Sequence, residues 1–290
     1  MNKVVNDDYP VNRTLSDEEI KAKFLQDSAN TGTVLTAVKS DVPTEMIALP
    51  SKGYFYPEGH PLASGFIEMK YMTAREEDIL SSQSLIKSGT VIDKLLQSLI
   101  ITKINYNDLL TIDKNAVFIA ARILAYGPDY EVEITCPSCG EKSKHVIDLQ
   151  QFEEKVINWD NFTKGQTTHN FTLPACKKQV ALKFLTHGDE KAIEESIKAQ
   201  KKFTKLTGVD PELSTRLKHL IVAVDGDTNK ANISAFVDNM LSRDSLALRT
   251  YLKEVTPDID TTFSFTCPSC GYEQEKMTMP INVNFFWPSL

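Results

Sequence analysis

Cys-Pro-Ser-Cys-Gly stands twice in this chain, at Cys136–Gly140 and at Cys267–Gly271, and takes up four of its five cysteines. Two thiolates three positions apart in a tight turn supply half of the tetrahedral shell that a structural zinc requires. Pro after the first cysteine fixes φ. Gly after the second can adopt the positive φ that turns backbone N–H groups toward sulfur. Two knuckles supply four ligands, so Cys136, Cys139, Cys267 and Cys270 are the expected metal ligands, with one zinc per chain. The stretch between the knuckles is too long for an ordinary zinc ribbon. It suits two units whose tips meet about a local twofold axis. Two metal-free hairpin tips, or a site shared between molecules, are the competing readings. His145 is a substitute ligand if the knuckles stay apart. Cys176 has no partner spacing and is expected to be a buried thiol. Lys177 and Lys178 beside it would lower its pKa, but no catalytic His pattern accompanies it.

Other chemistry is missing. There is no phosphate-binding glycine loop, HExxH, GxSxG or dinucleotide fingerprint, and a four-thiolate zinc leaves no open position for substrate. Glu76, Glu77 and Asp78 fall in a helical first turn, where the helix dipole accounts for them. The chain therefore reads as a non-enzyme, with the Lys52–His60 loop as a weak alternative site. A net charge of −7 disfavours binding through phosphate neutralisation, so no nucleic-acid partner is expected. The basic stretch Lys198–Lys205 follows Glu194 and Glu195 and reads as a solvated helix face. No run approaches the ~20 apolar residues of a membrane span, and Met1–Pro10 lacks a signal-peptide core. Reduced cysteines fit synthesis in a cytosol, where the Asn-X-Ser/Thr sites at Asn12, Asn161, Asn170 and Asn232 carry no meaning.

The elements that must position the cysteines repeat as well. Glu133–Cys136 matches Ser264–Cys267 as a strand-like approach ending in Thr-Cys. Met69–Thr73, with Glu76 and Glu77 beyond, matches Leu182–Thr186, with Asp189 and Glu190 beyond: a strand, a Thr N-cap and an acid three residues on. Asp113 and Asp244 keep the same offset as the cysteines. Pro128-Asp129 and Pro257-Asp258 each close the last helix before a knuckle strand. The expected fold is α+β: a tandem duplicated unit of short strands and helices, each copy ending in a CPxCG zinc-knuckle hairpin. An insertion is expected in the second copy at Lys201–Asp227. Residues 1–45 read as an N-terminal arm, 46–150 as the first unit, 151–170 as a linker, 171–283 as the second unit and 284–290 as an aromatic tail.

Within the arm, the capping box Ser16–Glu19 predicts a helix to about Asp27, and Ser28–Pro43 an extended linker. Tyr54–Tyr56 is expected as a short aromatic strand between turns. Thr73–Tyr126 reads as mostly helical, with Ile79, Leu80, Leu85, Ile86, Ile92, Leu95, Leu96 and Leu99 on core faces and Gly127-Pro128 as the stop. Tyr130–Ile134 and Lys144–Leu149 flank the first knuckle as a hairpin. Gln150–Asn170 reads as a polar connection with one Trp. Helices are expected at Glu190–Phe203, Pro211–Ala223, Ile233–Leu241 and Ser245–Val255. Phe285, Phe286 and Trp287 either tuck onto the core or serve with the arm as anchors for a partner.

Several of these stretches together resemble one known family. Leu49–Pro57 (LPSKGYFYP), Met72–Leu80 (MTAREEDIL), Ile92–Leu96, Ile112-Asp113 ahead of Arg122, Tyr126-Gly127 and Cys136–Gly140 are similar to the baseplate hub family of T-even-type contractile-tailed bacteriophages. The likeness is close over Ile47–Leu149 and looser from Phe171 onward. It implies a non-catalytic part in building the baseplate hub, as a hub component or assembly factor. The implied partners are other hub or tail proteins, and the implied locations are the host cytoplasm during assembly and the virion tail baseplate. The alternative is a zinc-knuckle adaptor in a cellular nucleic-acid- or protein-processing complex.

Overall fold

Alternation in Thr44–Ala48 (β1) and Phe66–Lys70 (β2) makes an antiparallel pair running from Thr44↔Lys70 to Ala48↔Phe66, with Ile67 and Met69 fully buried on one face. The computed structural model describes residues 42–204, 211–281 and 285–287. The expected arm helix lies outside them. Thr44 and Glu45 belong to β1, so the arm ends earlier than residue 45. The loop between β1 and β2 closes through the Leu49 amide on the Gly65 carbonyl at 2.9 Å. Tyr54–Tyr56 is not a strand. It lies in consecutive turns, because Gly53 holds φ +76° against backbone so close that a Cβ would meet the Ala63 oxygen at 2.4 Å.

After Thr73 come helices Ala74–Ser81 (α1), Gln83–Ser88 (α2), Val91–Leu99 (α3) and Thr111–Tyr126 (α4). Leu80, Leu95, Leu96 and Leu99 are buried as their spacing requires, and Ile79, Leu85 and Ile92 pack partly buried against the same core. Ile86 was expected on that face but is exposed, because the short α2 buries none of its residues. Gly127 ends α4, and Asp129–Thr135 (β3) pairs with Lys142–Asp148 (β4) across the first knuckle. The next stretch is more than a polar linker. Glu153–Glu154 (β5) pairs with Ile259–Asp260 (β9), and Trp159 and Phe162 join Phe55 and Phe184 in one aromatic cluster.

The second half also runs from a strand pair through helices to a hairpin. Thr168–Thr172 (β6) and Gln179–Lys183 (β7) form an antiparallel pair, followed by His187–Thr204 (α5) and Glu212–Leu220 (α6). Ile221–Val224 (β8) then joins β7 as a third strand. A helix was expected through Ala223; the β-branched run Ile221-Val-Ala-Val instead takes an open sheet edge. Lys230–Asp238 (α7), Ser242–Val255 (α8) and the pair Thr262–Thr266 (β10) and Glu273–Thr278 (β11) complete the chain. The helices expected at Ile233–Leu241 and Ser245–Val255 thus begin earlier, and α7 also ends earlier.

One large core fills the first half and takes in Phe265, Cys267, Met279, Phe285 and Phe286 from the chain's end; a smaller one lies around Leu173, Val180, Leu182, Leu217 and Leu248. Phe285 stacks on Phe118 at 4.8 Å and makes a T-shaped contact with Tyr130 at 5.0 Å. Phe285 and Phe286 are each 1% exposed, so these rings are core and not anchors held out to a partner. Among the described residues, no helix is long and apolar enough to cross a membrane.

Candidate metal centre

The two knuckles have the same local build. In the first, the Cys136 amide donates to the Glu141 carbonyl (2.8 Å) and the Gly140 amide to the Cys136 carbonyl (2.9 Å). In the second, Cys267 donates to Tyr272 (2.8 Å) and Gly271 to Cys267 (3.0 Å). Gly140 and Gly271 hold φ +74° and +70° with open space where a Cβ would stand, so backbone conformation and not crowding calls for glycine. The Ser138 amide points at the Cys136 sulfur from 3.4 Å.

The hairpin tips meet. All four Sγ atoms of Cys136, Cys139, Cys267 and Cys270 lie within 4.8 Å of one another. The pairs that cross between hairpins, Cys136–Cys270 and Cys139–Cys267, stand at 3.7 and 3.8 Å. Four sulfurs about 2.3 Å from a central zinc are about 3.8 Å apart in a tetrahedron, so the donor set and spacing fit a structural zinc. They do not fit disulfides, whose sulfurs lie about 2 Å apart. Cys136 and Cys267 face inward at 2% exposure, and Cys139 and Cys270 are exposed.

The thiols have divergent acidities. Burial opposes ionisation of Cys136, but the Cys139 and Ser138 amides and neighbouring thiols outweigh it and draw its pKa down to about 7. At Cys139 the Glu141 amide pulls downward, but the Cys270 thiol, burial and the other two thiols push the pKa up to about 12. Four sulfurs this close cannot all ionise without a cation among them.

The other candidates lie elsewhere. His145 is outside the cluster: its Nε2 hydrogen-bonds the Ser143 hydroxyl at 2.8 Å, and its ring tilts against Phe265. Cys176 is exposed, not buried. Its thiol pKa is raised, by local burial and by Asp244, so Lys177 and Lys178 do not activate it.

Two buried acids brace the helices that lead to the knuckles. Asp113, in the first turn of α4, accepts from the Ser51 amide (2.9 Å), the Ser51 hydroxyl (2.8 Å) and the Tyr56 hydroxyl (2.7 Å). Asp244, in the first turn of α8, accepts from the Ala175 (2.6 Å) and Cys176 (3.1 Å) amides. Each acid pins the loop of a strand pair to the helix that runs on to a hairpin. The Tyr130 hydroxyl then ties β3 to the Pro280 carbonyl at 3.1 Å. The signal for these braces was in the sequence and was missed: Leu49-Pro50-Ser51 and Leu173-Pro174-Ala175 are matching loop entries, both with buried leucines.

The caps also correspond. Lys70 pairs with Glu76 at 2.8 Å and Lys183 with Asp189 at 2.7 Å. The Thr73 and Thr186 amides donate to those acids at 3.0 and 3.1 Å. At Glu76 burial works against ionisation, but Lys70 and Thr73 win and hold the carboxyl below its ordinary value. Asp189 is lowered in the same way by Lys183 and Thr186.

The family model for T4 bacteriophage base plate protein matches residues 59–287, most of the chain, and the chain belongs to that family. It is thus a structural protein of the phage baseplate, which implies a place in the virion tail. No curated protein and no solved structure matches it.

Proposed function

We propose that this protein is a hub structural or assembly component of the baseplate, acting through protein–protein contacts, and that it is a tandem duplication clasped by one zinc. The observation that carries the clasp is the convergence of four cysteine sulfurs from two hairpins far apart in sequence. Cys136, Cys139, Cys267 and Cys270 would hold the ion, which supplies cross-linking and no reaction. The duplication is supported by the matched strand pairs, caps, acid braces and knuckles. Its units are residues 46–150 and 171–283, extended at their starts to include β1 and β6. The hub role is supported by the family match and by the resemblance of Leu49–Pro57 and Met72–Leu80 to hub proteins. The arm Met1–Val42 has little apolar sequence for a core of its own and serves as a docking segment.

Metal analysis of the purified protein tests the clasp, with one zinc per chain expected. Co-purification with tail proteins, and complementation of tail assembly by a chain lacking Met1–Val42, test the role. The shortened chain should keep its metal and melting curve and fail to assemble tails. Normal infectivity with that chain would rule out docking through the arm.

A further inference from the structure

The corner where α4 begins is docked inside the chain, and the corner where α8 begins is not. Leu110 and Leu241, the residues before the two helices, have the same backbone conformation (φ −64°, ψ 140° and φ −63°, ψ 137°). Around Leu110 the chain makes a short antiparallel junction with the start of its second half. Thr111 donates to the Leu185 carbonyl from its amide (2.9 Å) and its hydroxyl (3.0 Å), and the His187 amide donates to the Leu109 carbonyl (2.8 Å). Leu110 lies opposite Thr186 and is 4% exposed. In the second half, Met240, Leu241 and Ser242 occupy the places of Leu109, Leu110 and Thr111. Ser242 offers the same amide and hydroxyl, with no partner for either among the described residues. Leu241 is 55% exposed and Leu246 beyond it 57%.

The complementary surface is also open. Met72, Thr73 and Ala74 stand where Leu185, Thr186 and His187 stand: past a strand's end, at the cap, and at the first helical residue. Among the described residues, the Met72 carbonyl and Ala74 amide have no partner, and Ala74 is exposed.

We propose that a second copy of this chain fills each open corner: Met240–Ser242 of one molecule docks on Met72–Ala74 of the next. This repeats between molecules a junction the chain already makes within itself. The inference rests on the equivalence of the two halves proposed above. Different surfaces on the two sides make the contact heterologous, so copies add head to tail into a ring or an open chain. The inner junction also carries charge, because Asp93 and Lys114 gather around His187. The matching positions outside are Ser214, Ser245 and Ala74. The outer junction therefore has no ion pair at these positions and should respond little to salt.

Sedimentation velocity of the full chain over a concentration series tests this. Species larger than the monomer should grow with concentration and persist when salt is raised. Leu241→Arg and Ala74→Arg should each weaken association at least about tenfold, since each puts a charge into the contact, while leaving the melting temperature unchanged. An equimolar mixture of the two variants should restore one junction and stop at a dimer. A wild-type chain that stays monomeric, or variants that mixing does not rescue, would overturn the proposal. Leu110→Arg separates the two layers of the argument. It should lower the melting temperature of the monomer, because it strikes the inner junction. If it does not, the equivalence of the halves fails. If it does while the wild type stays monomeric, only docking between molecules fails.

Discussion

Asp113 and Asp244 sit at the same corner of the two halves and meet different surroundings. Above Asp113 lies a long loop rich in aromatics, and two of the three donors it receives are hydroxyls. Burial outweighs them, with a contribution from Glu154, and the carboxyl is pushed up to about 6. Above Asp244 lies a short loop that offers two backbone amides. Burial opposes ionisation there too, but the Ala175 and Cys176 groups and Arg243 hold the carboxyl below its ordinary value. The two corners share a backbone conformation, and their acids shift in opposite directions. The larger core lies in the first half and takes in Phe265 and Cys267 of the second hairpin and the final aromatic rings. The second half keeps a smaller core and the more open corner.

In the proposed clasp each half contributes two cysteines, so breaking it from either side should have the same effect. Cys136→Ser and Cys267→Ser should each release the metal and lower the melting temperature steeply. The apparent binding energy of structural zinc is on the order of 10 kcal/mol. Chelation should reproduce both variants, and Cys176→Ser should do nothing. Purified protein without zinc would sink the clasp, and two zinc ions per chain would favour separate sites.

The terminal rings make the halves unequal. Truncation after Asn284 removes Phe285 and Phe286 from the first half's core. Large-to-small changes at such buried rings cost about 3–5 kcal/mol each. The truncated chain should lose thermal stability with its zinc content intact. A full-length melting curve from the truncated chain would mean that the rings are not part of the core.

What was legible in the sequence depended on how local the controlling physics is. The knuckles, the Thr73 and Thr186 caps and the leucines of α3 follow from spacing over a few residues, and the four knuckle cysteines lie together in the structure. Longer-range competition decided the rest. Tyr54–Tyr56 has strand-forming residues, but Gly53 and the close-packed Ala63 backbone hold it in turns. Ile221–Val224 continues a helical pattern until β7 offers it an edge. Trp159 and Phe162 stand in a polar stretch, and only the fold shows Phe55 and Phe184 waiting for them. Cys176 is exposed because its amide must reach Asp244 at the loop's tip. That brace could have been read by aligning Leu49-Pro50 with Leu173-Pro174.

The two acids give the comparison a pH signature. The folded pKa of Asp113 lies above the unfolded value of about 4. Its contribution to stability is therefore full below about pH 4 and is lost as pH rises through about 6, a change of about 3 kcal/mol. The folded pKa of Asp244 is depressed. Its contribution is present above about pH 4 and is lost as pH falls through the lower folded value. Denaturant unfolding across this range should show Asp113→Asn and Asp244→Asn departing from the wild type with opposite slopes. Slopes of the same sign would mean that the loops do not set the acids apart.

The caps give the smallest effect and the most direct test of equivalence. Thr73 donates from its amide and from its hydroxyl (2.7 Å) to Glu76. Thr186 donates to Asp189 from both groups, and its hydroxyl oxygen lies 3.2 Å from the Asp189 amide. Each acid also holds a lysine from the preceding strand, so the cap fixes the angle at which strand passes to helix. Alanine at either threonine removes the hydroxyl and keeps the backbone amide, which should cost about 1 kcal/mol. The two losses should agree within about 0.5 kcal/mol and add in the double variant, since the sites share no partner. Thr73→Ala has the more buried acid behind it, so any inequality should fall on that side. A Thr186→Ala chain as stable as wild type, beside a weakened Thr73→Ala chain, would show that the second cap has drifted from its role. The two halves would then share an outline without sharing the interactions that hold it.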